Sequence, residues 1–330
     1  MSAPSPVLAR WPLLVMLAFM LCAALLASLA HGSVAMSLGE SWRALLGQGD
    51  ALHQELIWSL RLPRALAAVA AGGLLALAGA LLQVLLRNPL ADPFVLGVSG
   101  GAASAALLAL LLGAAAWVVE IASLGGAFLA MTLVFGLARA RGAWSPTRLL
   151  LTGVVMAAGW GALINLLLAI SPDAHLKGML FWLMGDLDNA EHPGWALAAL
   201  ALGLLLIWPQ ARALNLLARG DNHAAALGVS TGALRILLYL IASLLTAAAV
   251  TTAGSVGFVG LVTPHLLRLA GLRDNRLLLP ACALGGATLL LLADLLARVA
   301  IAPQQLPVGV ITAFLGVPLF LILMRREGGQ

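Results

Sequence analysis

Long apolar runs separated by short polar segments dominate the chain. Ten runs of about 15 to 25 residues can be read: Trp11–Ala30, Leu62–Leu86, Phe94–Leu112, Ala116–Ala138, Leu149–Ile170, Trp195–Pro209, Ile236–Ala253, Val256–Ala270, Leu277–Ala300 and Val308–Met324. A helix needs about 20 mainly apolar residues to cross the hydrocarbon core of a bilayer. The pattern therefore predicts an all-α polytopic membrane protein, with about ten transmembrane helices in a single domain over residues 1–330.

The composition excludes a water-soluble fold. Hydrophobic residue types make up 62% of the 330 residues and charged types only 9%, whereas an ordinary soluble domain carries about 25% charged residues. The first run could be mistaken for a signal peptide, because Ser28–Ala30 resembles a cleavage site. A signal core has only about 7–15 apolar residues, so we expect an uncleaved first helix.

The basic residues predict the orientation. An even number of spans puts both termini on one side, and 13 of the 18 basic residues then lie on that side. The other side holds only Arg43, Arg61, Arg64, Lys177 and Arg298. Because basic loops stay in the cytoplasm, both termini are predicted to be cytoplasmic. The arginines thus serve as topology signals, and no nucleic-acid partner is expected.

No catalytic, metal or cofactor constellation stands out in the sequence. The histidines are isolated, and Cys22 and Cys282 both lie in apolar runs, where thiols behave as small hydrophobic groups. A phosphate-binding loop requires a lysine, and the only lysine, Lys177, is not in such a motif. The chain is therefore predicted to be neither an enzyme nor an ATPase, and to hold no cofactor of its own.

One acidic residue lies clearly within an apolar run. Asp294 is followed one helical turn later by Arg298, a spacing that places both side chains on one helix face. We predict a structural intramembrane ion pair. A proton or ion site at Asp294 is the alternative, since ionisable groups in membranes are functional candidates. With Asn165 and Gln83 it would indicate an ion-coupled secondary transporter.

The longest inner segment is predicted to contact a partner. Residues 210–235 are half apolar yet too interrupted to span, and two short helices broken at Gly220 and Gly228 would explain this. The apolar residues expected to face the partner are Leu214, Leu217, Ala225 and Leu227. An amphipathic loop lying on lipid is the alternative.

Four ordered motifs carry a family resemblance. They are Arg-Leu-Pro-Arg at 61–64, Arg-Asn-Pro-Leu-Ala-Asp-Pro at 87–93 followed by Leu-Gly-Val-Ser at 96–99, Gly-Phe-Val-Gly-Leu-Val-Thr-Pro-His at 257–265, and Leu-Pro-Val-Gly-Val-Ile-Thr-Ala at 306–313 with Gly316 and Pro318. Together they resemble the iron-chelate and cobalamin permeases of type II ABC importers. The resemblance covers nearly the whole chain.

The resemblance implies an assembly in the bacterial inner membrane. Two copies of the chain would form a homodimer with the pathway on its two-fold axis. Two cytoplasmic ATPase subunits, which hold ATP and Mg, would bind inside, and a periplasmic substrate-binding protein would bind outside. The cargo would be cobalamin, haem or a ferric siderophore, and the sequence leaves this choice open.

The resemblance also assigns roles to residues. Arg61, Arg64 and Arg298 match outer arginines that pair with glutamates of the binding protein, although snorkelling to lipid headgroups could explain Arg61 and Arg64. The ATPase coupling loop would comprise Ala213, Leu214, Leu217, Arg219, Gly220, Asp221, Ala225, Leu227, Gly228 and Ser230. The cytoplasmic gate would comprise Ser145, Pro146 and Thr147. Two departures are Pro146, which replaces a hydroxyl residue of the gate, and Gln305, where the family often has glutamate.

Overall fold

The computed structural model describes residues 10–32, 36–139, 146–188 and 192–327. Over these residues it contains fifteen α-helices and no strand. The helices are α1 Trp11–Ala30, α2 Leu38–Leu45, α3 Ala51–Glu55, α4 Leu62–Leu85, α5 Val98–Leu111, α6 Ala116–Arg139, α7 Pro146–Ile170, α8 Asp173–Met184, α9 Gly194–Ile207, α10 Ala211–Leu217, α11 Asp221–Ala226, α12 Thr231–Ala253, α13 Val259–Leu269, α14 Asn275–Val299 and α15 Val308–Glu327. The all-α prediction is confirmed.

The ten apolar runs fall on ten helical segments. Within the described ranges, seven segments are long and apolar enough to cross a membrane by length and composition. They contain α1, α4, α6, α7, α9, α12 and α14. The remaining three runs fall on the shorter apolar helices Val98–Leu111, Val259–Leu269 and Val308–Ile322. A shorter helix still fits a bundle whose neighbours and loops cover its ends.

Helix α4 is the centre of the bundle. Every residue from 70 to 85 is buried, and α4 packs against α14, α12, α13 and α9. Burial on every side over this length shows that other helices enclose α4. By contrast, only 11% of the most apolar stretch of α7 is buried, so α7 lies at the periphery of the single chain.

Glycines set the distance between α4 and its neighbours. A β-carbon at Gly79 would lie 1.9 Å from the carbonyl oxygen of Gly260 in α13, and one at Gly72 would lie 2.2 Å from that of Gly286 in α14. Small residues allow this close backbone approach between membrane helices. The glycines inside these runs are therefore packing residues.

Segments predicted to share a side of the membrane are in contact. At one end, Arg10 Nη1 donates to the Ala270 carbonyl at 3.3 Å, and Asn215 Nδ2 donates to Asp274 Oδ1 at 2.8 Å. At the other end, Arg298 Nη2 donates to Ser28 Oγ at 2.7 Å. We call these the inner and outer ends, after the sides that the arginine count predicts.

Between the first two spans, the outer segment is helical rather than irregular. Helix α2 begins with a capping box, in which Glu40 N donates to Ser37 Oγ at 3.2 Å and Ser37 N donates to Glu40 Oε2 at 2.7 Å. After α3, a π-helical segment, Leu56–Arg61, leads directly into α4. The Ser-x-x-Glu spacing is a sequence pattern typical of such a helix start.

Candidate functional site

The predicted intramembrane ion pair is confirmed, and it has a third member. Asp294 is fully buried on α14, and Arg298 Nε lies 3.0 Å from its Oδ2. Arg64 Nε, from the start of α4, lies 2.8 Å from Oδ1 of the same carboxylate. One carboxylate therefore serves two largely buried guanidinium groups, which joins α4 to α14 at the outer end.

The two arginines have further partners. Arg64 Nη1 donates to Gln305 Oε1 at 2.7 Å and contacts Asp188. Arg298 also donates to the carbonyl of His31 at 3.2 Å, so it ties α14 to the end of α1. Gln305, the departure from the family pattern, thus accepts a hydrogen bond that a glutamate could also accept.

The third outer arginine is also held inside the chain. Arg61 is 7% exposed, and its Nη1 donates to the carbonyls of Leu29 at 2.7 Å and Ala30 at 3.1 Å. Arg61, Arg64 and Arg298 together line an outer cavity of about 230 Å³. In the single chain, the hydrogen bonds and ion pairs described for these arginines are all with residues of the same chain. Docking of a binding protein on them stays a prediction.

The polar residues behind the ion-coupled alternative are not assembled into one site. Asp294 is bound by Arg64 and Arg298, whereas Asn165 is exposed on α7. Gln83 is buried at the inner end, where its Nε2 donates to the Leu261 carbonyl at 3.3 Å. The carboxylate of Asp294 is thus occupied by two partners within the chain.

The segment at 210–235 forms two short helices at the inner end, as predicted. Helix α10 ends at Leu217 and α11 ends at Ala226. The breaks fall at Gly220, with φ +122°, and Gly228, with φ +81°. Residues other than glycine rarely adopt such backbone angles, so the two glycines determine where the helices end.

Part of the exposure prediction for this segment was wrong. Leu214 and Leu217 are 0% and 1% exposed, because α10 turns them into the main core against α14. Ala211, Leu214 and Leu217 follow each other at intervals of three residues, so they lie on one face of the helix. Ala225 is exposed and Leu227 is 58% exposed, as predicted. The surface open to a partner is therefore α11 and the turn after it.

An ionic network fixes α11 against the bundle. Asp221 Oδ2 lies 2.9 Å from Arg87 Nη2 and 2.5 Å from Arg235 Nη2, which joins the 210–235 segment to the ends of α4 and α12. Arg219 and Ser230 are exposed, and Ala213 is half-buried. The network therefore links α11 to both spans.

The polar motif at 87–93 is an ordered turn at the same end. Asn88 Oδ1 accepts from Leu90 N at 2.9 Å, and Asp92 Oδ1 accepts from Phe94 N at 2.8 Å. Burial raises the pKa of Asp92 to about 6, although the hydrogen bond from Phe94 N acts to lower it. Side-chain acceptors of this kind satisfy backbone donors where no helix continues.

The predicted gate is described only in part. Ser145 lies outside the described residues, Pro146 is the first residue of α7, and Thr147 is exposed. Its gating role stays a prediction. Among the residues that the structure describes, no group of three or more His, Cys, Asp or Glu side chains is placed to bind a metal ion.

Comparisons with known proteins agree with this architecture. The model of the FecCD transport family matches residues 20–326. The chain is 40% identical over 323 residues to the vitamin B12 import system permease protein BtuC of Escherichia coli (strain K12 / DH10B), covering 97% of this chain and 96% of that one. It is 40% identical over 298 residues to BtuC of Salmonella paratyphi A (strain ATCC 9150 / SARB42), covering 89% and 91%.

A solved structure is similar over the same extent. An inward-facing conformation of a metal-chelate type ABC transporter aligns with a TM-score of 0.85 at 32% identity, covering 96% of this chain and 99% of that one. The match of the family model to almost the whole chain, together with the bundle of ten apolar helical segments, decides the assignment. The chain belongs to the FecCD transport family and is a multi-pass membrane permease.

Proposed function

We propose that this chain is the permease subunit of an ATP-binding-cassette importer that passes a metal chelate across the bacterial inner membrane by alternating access. The observation that carries the proposal is 40% identity over 97% of the chain to permeases named for vitamin B12 import. ATP hydrolysis takes place on separate cytoplasmic subunits. The permease supplies the pathway and performs no bond chemistry.

The inner end supports an ATPase interface. Ala225 is exposed on α11 and Leu227 is exposed just after it, and Asp221 ties this helix to two spans. An exposed apolar patch rimmed by polar groups is typical of a protein interaction site. ATP binding moves the ATPase subunits, and Asp221 passes that movement to the ends of α4 and α12.

The outer end supports docking of a substrate-binding protein. Arg61, Arg64 and Arg298 line a cavity at that end together with Asp188, and the fully buried Asp294 binds Arg64 and Arg298. The excess of positive charge attracts acidic side chains, which fix the orientation of a partner. Its glutamates would reach the arginines through this cavity and compete with Asp188, whose side chain is 45% exposed.

An exposed amide supports a homodimer with the pathway between the two copies. Asn165 lies exposed in α7, a mainly apolar helix long enough to span, and β-carbons at Gly159 and Gly161 would meet nothing within 4 Å. An amide facing hydrocarbon has a high free energy. A second copy, or water in the pathway, provides polar surroundings for Asn165.

The cargo is a corrinoid or another metal chelate. The relatives named for vitamin B12 make cobalamin the first compound to test, and a ferric siderophore is the second, because a metal-chelate type transporter has the same fold. A passage lined by small apolar side chains lets a bulky chelate leave readily, since it provides few groups that would hold the cargo.

A charge at Leu227 tests the proposed ATPase interface. We expect Leu227→Glu to reduce recovery of the ATPase subunit with the affinity-purified permease by about tenfold or more, because it places a carboxylate in an apolar contact. Leu112→Glu is the matched control, since Leu112 is 77% exposed at the end of α5, the outer end by the predicted topology. Equal recovery with both variants would contradict the interface, and no recovery with the unmodified chain would contradict the function.

A further inference from the structure

A second cavity, of about 560 Å³, lies at the inner end beside the 210–235 segment. Its wall includes Arg87, Arg219, Arg268, Arg273, Gln83 and Asp274. These residues come from the end of α4, the α10–α11 turn, α13 and the α13–α14 connection. Four parts of the inner end therefore meet around one basic cavity, which the transport proposal does not use.

The carboxylates near this cavity are already paired. Asp274 Oδ2 lies 2.8 Å from Arg276 Nη2, and Asp274 Oδ1 accepts from Asn215 Nδ2. Burial raises the pKa of Asp274, but the hydrogen bonds from Arg276 and Asn215 outweigh it, so the pKa lies below its ordinary value. Asp221, the other nearby acid, binds Arg87. Neither carboxylate is left to neutralise the remaining arginines.

Three guanidinium groups of the cavity consequently lack an acidic partner. Among the residues that the structure describes, no carboxylate lies within 4 Å of Arg219, Arg268 or Arg273. Arg219 and Arg273 are exposed, whereas Arg268 is only partly exposed. Three such cations around one cavity repel each other, and an anion between them removes that repulsion.

Arg268 is the strongest indication of a bound anion. Its Nη1 donates to the side-chain oxygen of Gln83, a neutral group. The amide nitrogen of Gln83 donates to the carbonyls of Leu261 at 3.3 Å and Ala91 at 3.4 Å, which turns the oxygen towards Arg268. A partly buried charge that has only neutral partners destabilises the fold, so a ligand of opposite charge would stabilise it.

We propose that this cavity binds a phosphate group. The planar fork of arginine matches the oxygens of phosphate and donates two hydrogen bonds at once. The volume lies in the usual range for small-molecule sites, about 300–1,000 Å³, and suits a phosphate ester better than a bare ion. The phosphate belongs either to the headgroup of an anionic phospholipid or to a soluble compound, and bound there it links α4, the 210–235 segment and α13.

Thermal unfolding of the purified full-length chain in neutral detergent tests the site. Inorganic phosphate and phosphatidylglycerol are the two probes, with phosphatidylcholine and sodium chloride of equal ionic strength as controls. If the phosphate belongs to a lipid, we expect phosphatidylglycerol to raise Tm and inorganic phosphate to leave it unchanged. If it belongs to a soluble compound, we expect both probes to raise Tm. Equal shifts with phosphatidylcholine, or no shift with either probe, would overturn the proposal.

Arginine variants locate the effect within the chain. Arg268→Gln is expected to raise Tm without a probe, because it removes an unpaired charge, and to weaken probe binding about tenfold or more. Arg273→Gln, at an exposed position, is expected to weaken binding to a similar degree without affecting folding. Arg212→Gln removes the same charge from an exposed position outside the cavity. Equal binding by all three variants and the unmodified chain would contradict the assignment.

Discussion

Asp294→Asn is expected to destabilise the folded chain by about 3–5 kcal/mol, the usual result of removing one partner from a buried ion pair. The carboxylate is fully buried and binds Arg298 at 3.0 Å and Arg64 at 2.8 Å. Its loss leaves two positive charges together, both largely removed from water. The measurement is the unfolding midpoint of the purified chain in detergent, followed by tryptophan fluorescence.

Asp188→Asn is the matched control for this variant. Asp188 contacts the same Arg64, but its side chain is 45% exposed, and an exposed pair contributes about 0–1 kcal/mol. We expect a small change in the midpoint. Equal effects of the two variants would contradict the view that burial makes Asp294 the essential member of the cluster.

A double variant keeps the prediction testable if Asp294→Asn does not fold. Asp294→Asn combined with Arg298→Gln removes one of the two positive charges left behind. The double variant should therefore be more stable than Asp294→Asn alone, because the effects of substitutions at two residues in contact on the free energy of unfolding do not simply add. A double variant that is less stable than the single one would show that Arg298 stabilises the outer end mainly through Ser28 and His31.

Among glycine-to-alanine substitutions, Gly79→Ala is expected to cause the largest loss of stability. The added β-carbon would lie 1.9 Å from the backbone oxygen of Gly260, so α4 and α13 would have to separate. Overpacking of a tight interior costs about 1–3 kcal/mol, and here the obstacle is backbone, which cannot change rotamer. The unfolding midpoint in detergent is again the measurement.

Gly159→Ala is the control for this substitution. Gly159 lies on a membrane-crossing helix, α7, but nothing lies within 4 Å of the added carbon. Alanine favours helix over glycine by about 1 kcal/mol, so the midpoint should stay or rise slightly. A loss of stability at Gly159 as large as that at Gly79 would contradict close packing as the cause, and would place Gly159 in a contact between chains.

Most of the fold could be predicted from the lengths of the apolar runs. A run such as Leu277–Ala300 leaves few alternatives to a spanning helix, because every backbone group in hydrocarbon must be satisfied within the helix. The Asp294–Arg298 pair was equally accessible, since its spacing is local. The breaks at Gly220 and Gly228 were predictable for the same reason.

Contacts between distant residues were not accessible from one sequence. Arg64 is 230 residues from Asp294, and Arg268 is 185 residues from Gln83; no periodicity links either pair. The burial of Leu214 was missed because a short helix does not reveal which of its faces meets the bundle. The helical outer segment could have been found, because Ser37 and Glu40 have the spacing of a capping box.

Uptake by reconstituted liposomes tests the transport proposal most directly. The permease is reconstituted with its ATPase, and radiolabelled cyanocobalamin or a ferric siderophore is supplied with the binding protein. We expect the chelate to accumulate only when the ATPase, ATP and the binding protein are all present, and to be unaffected by collapse of ion gradients. Accumulation by the permease alone, driven by a proton or sodium gradient, would contradict the account.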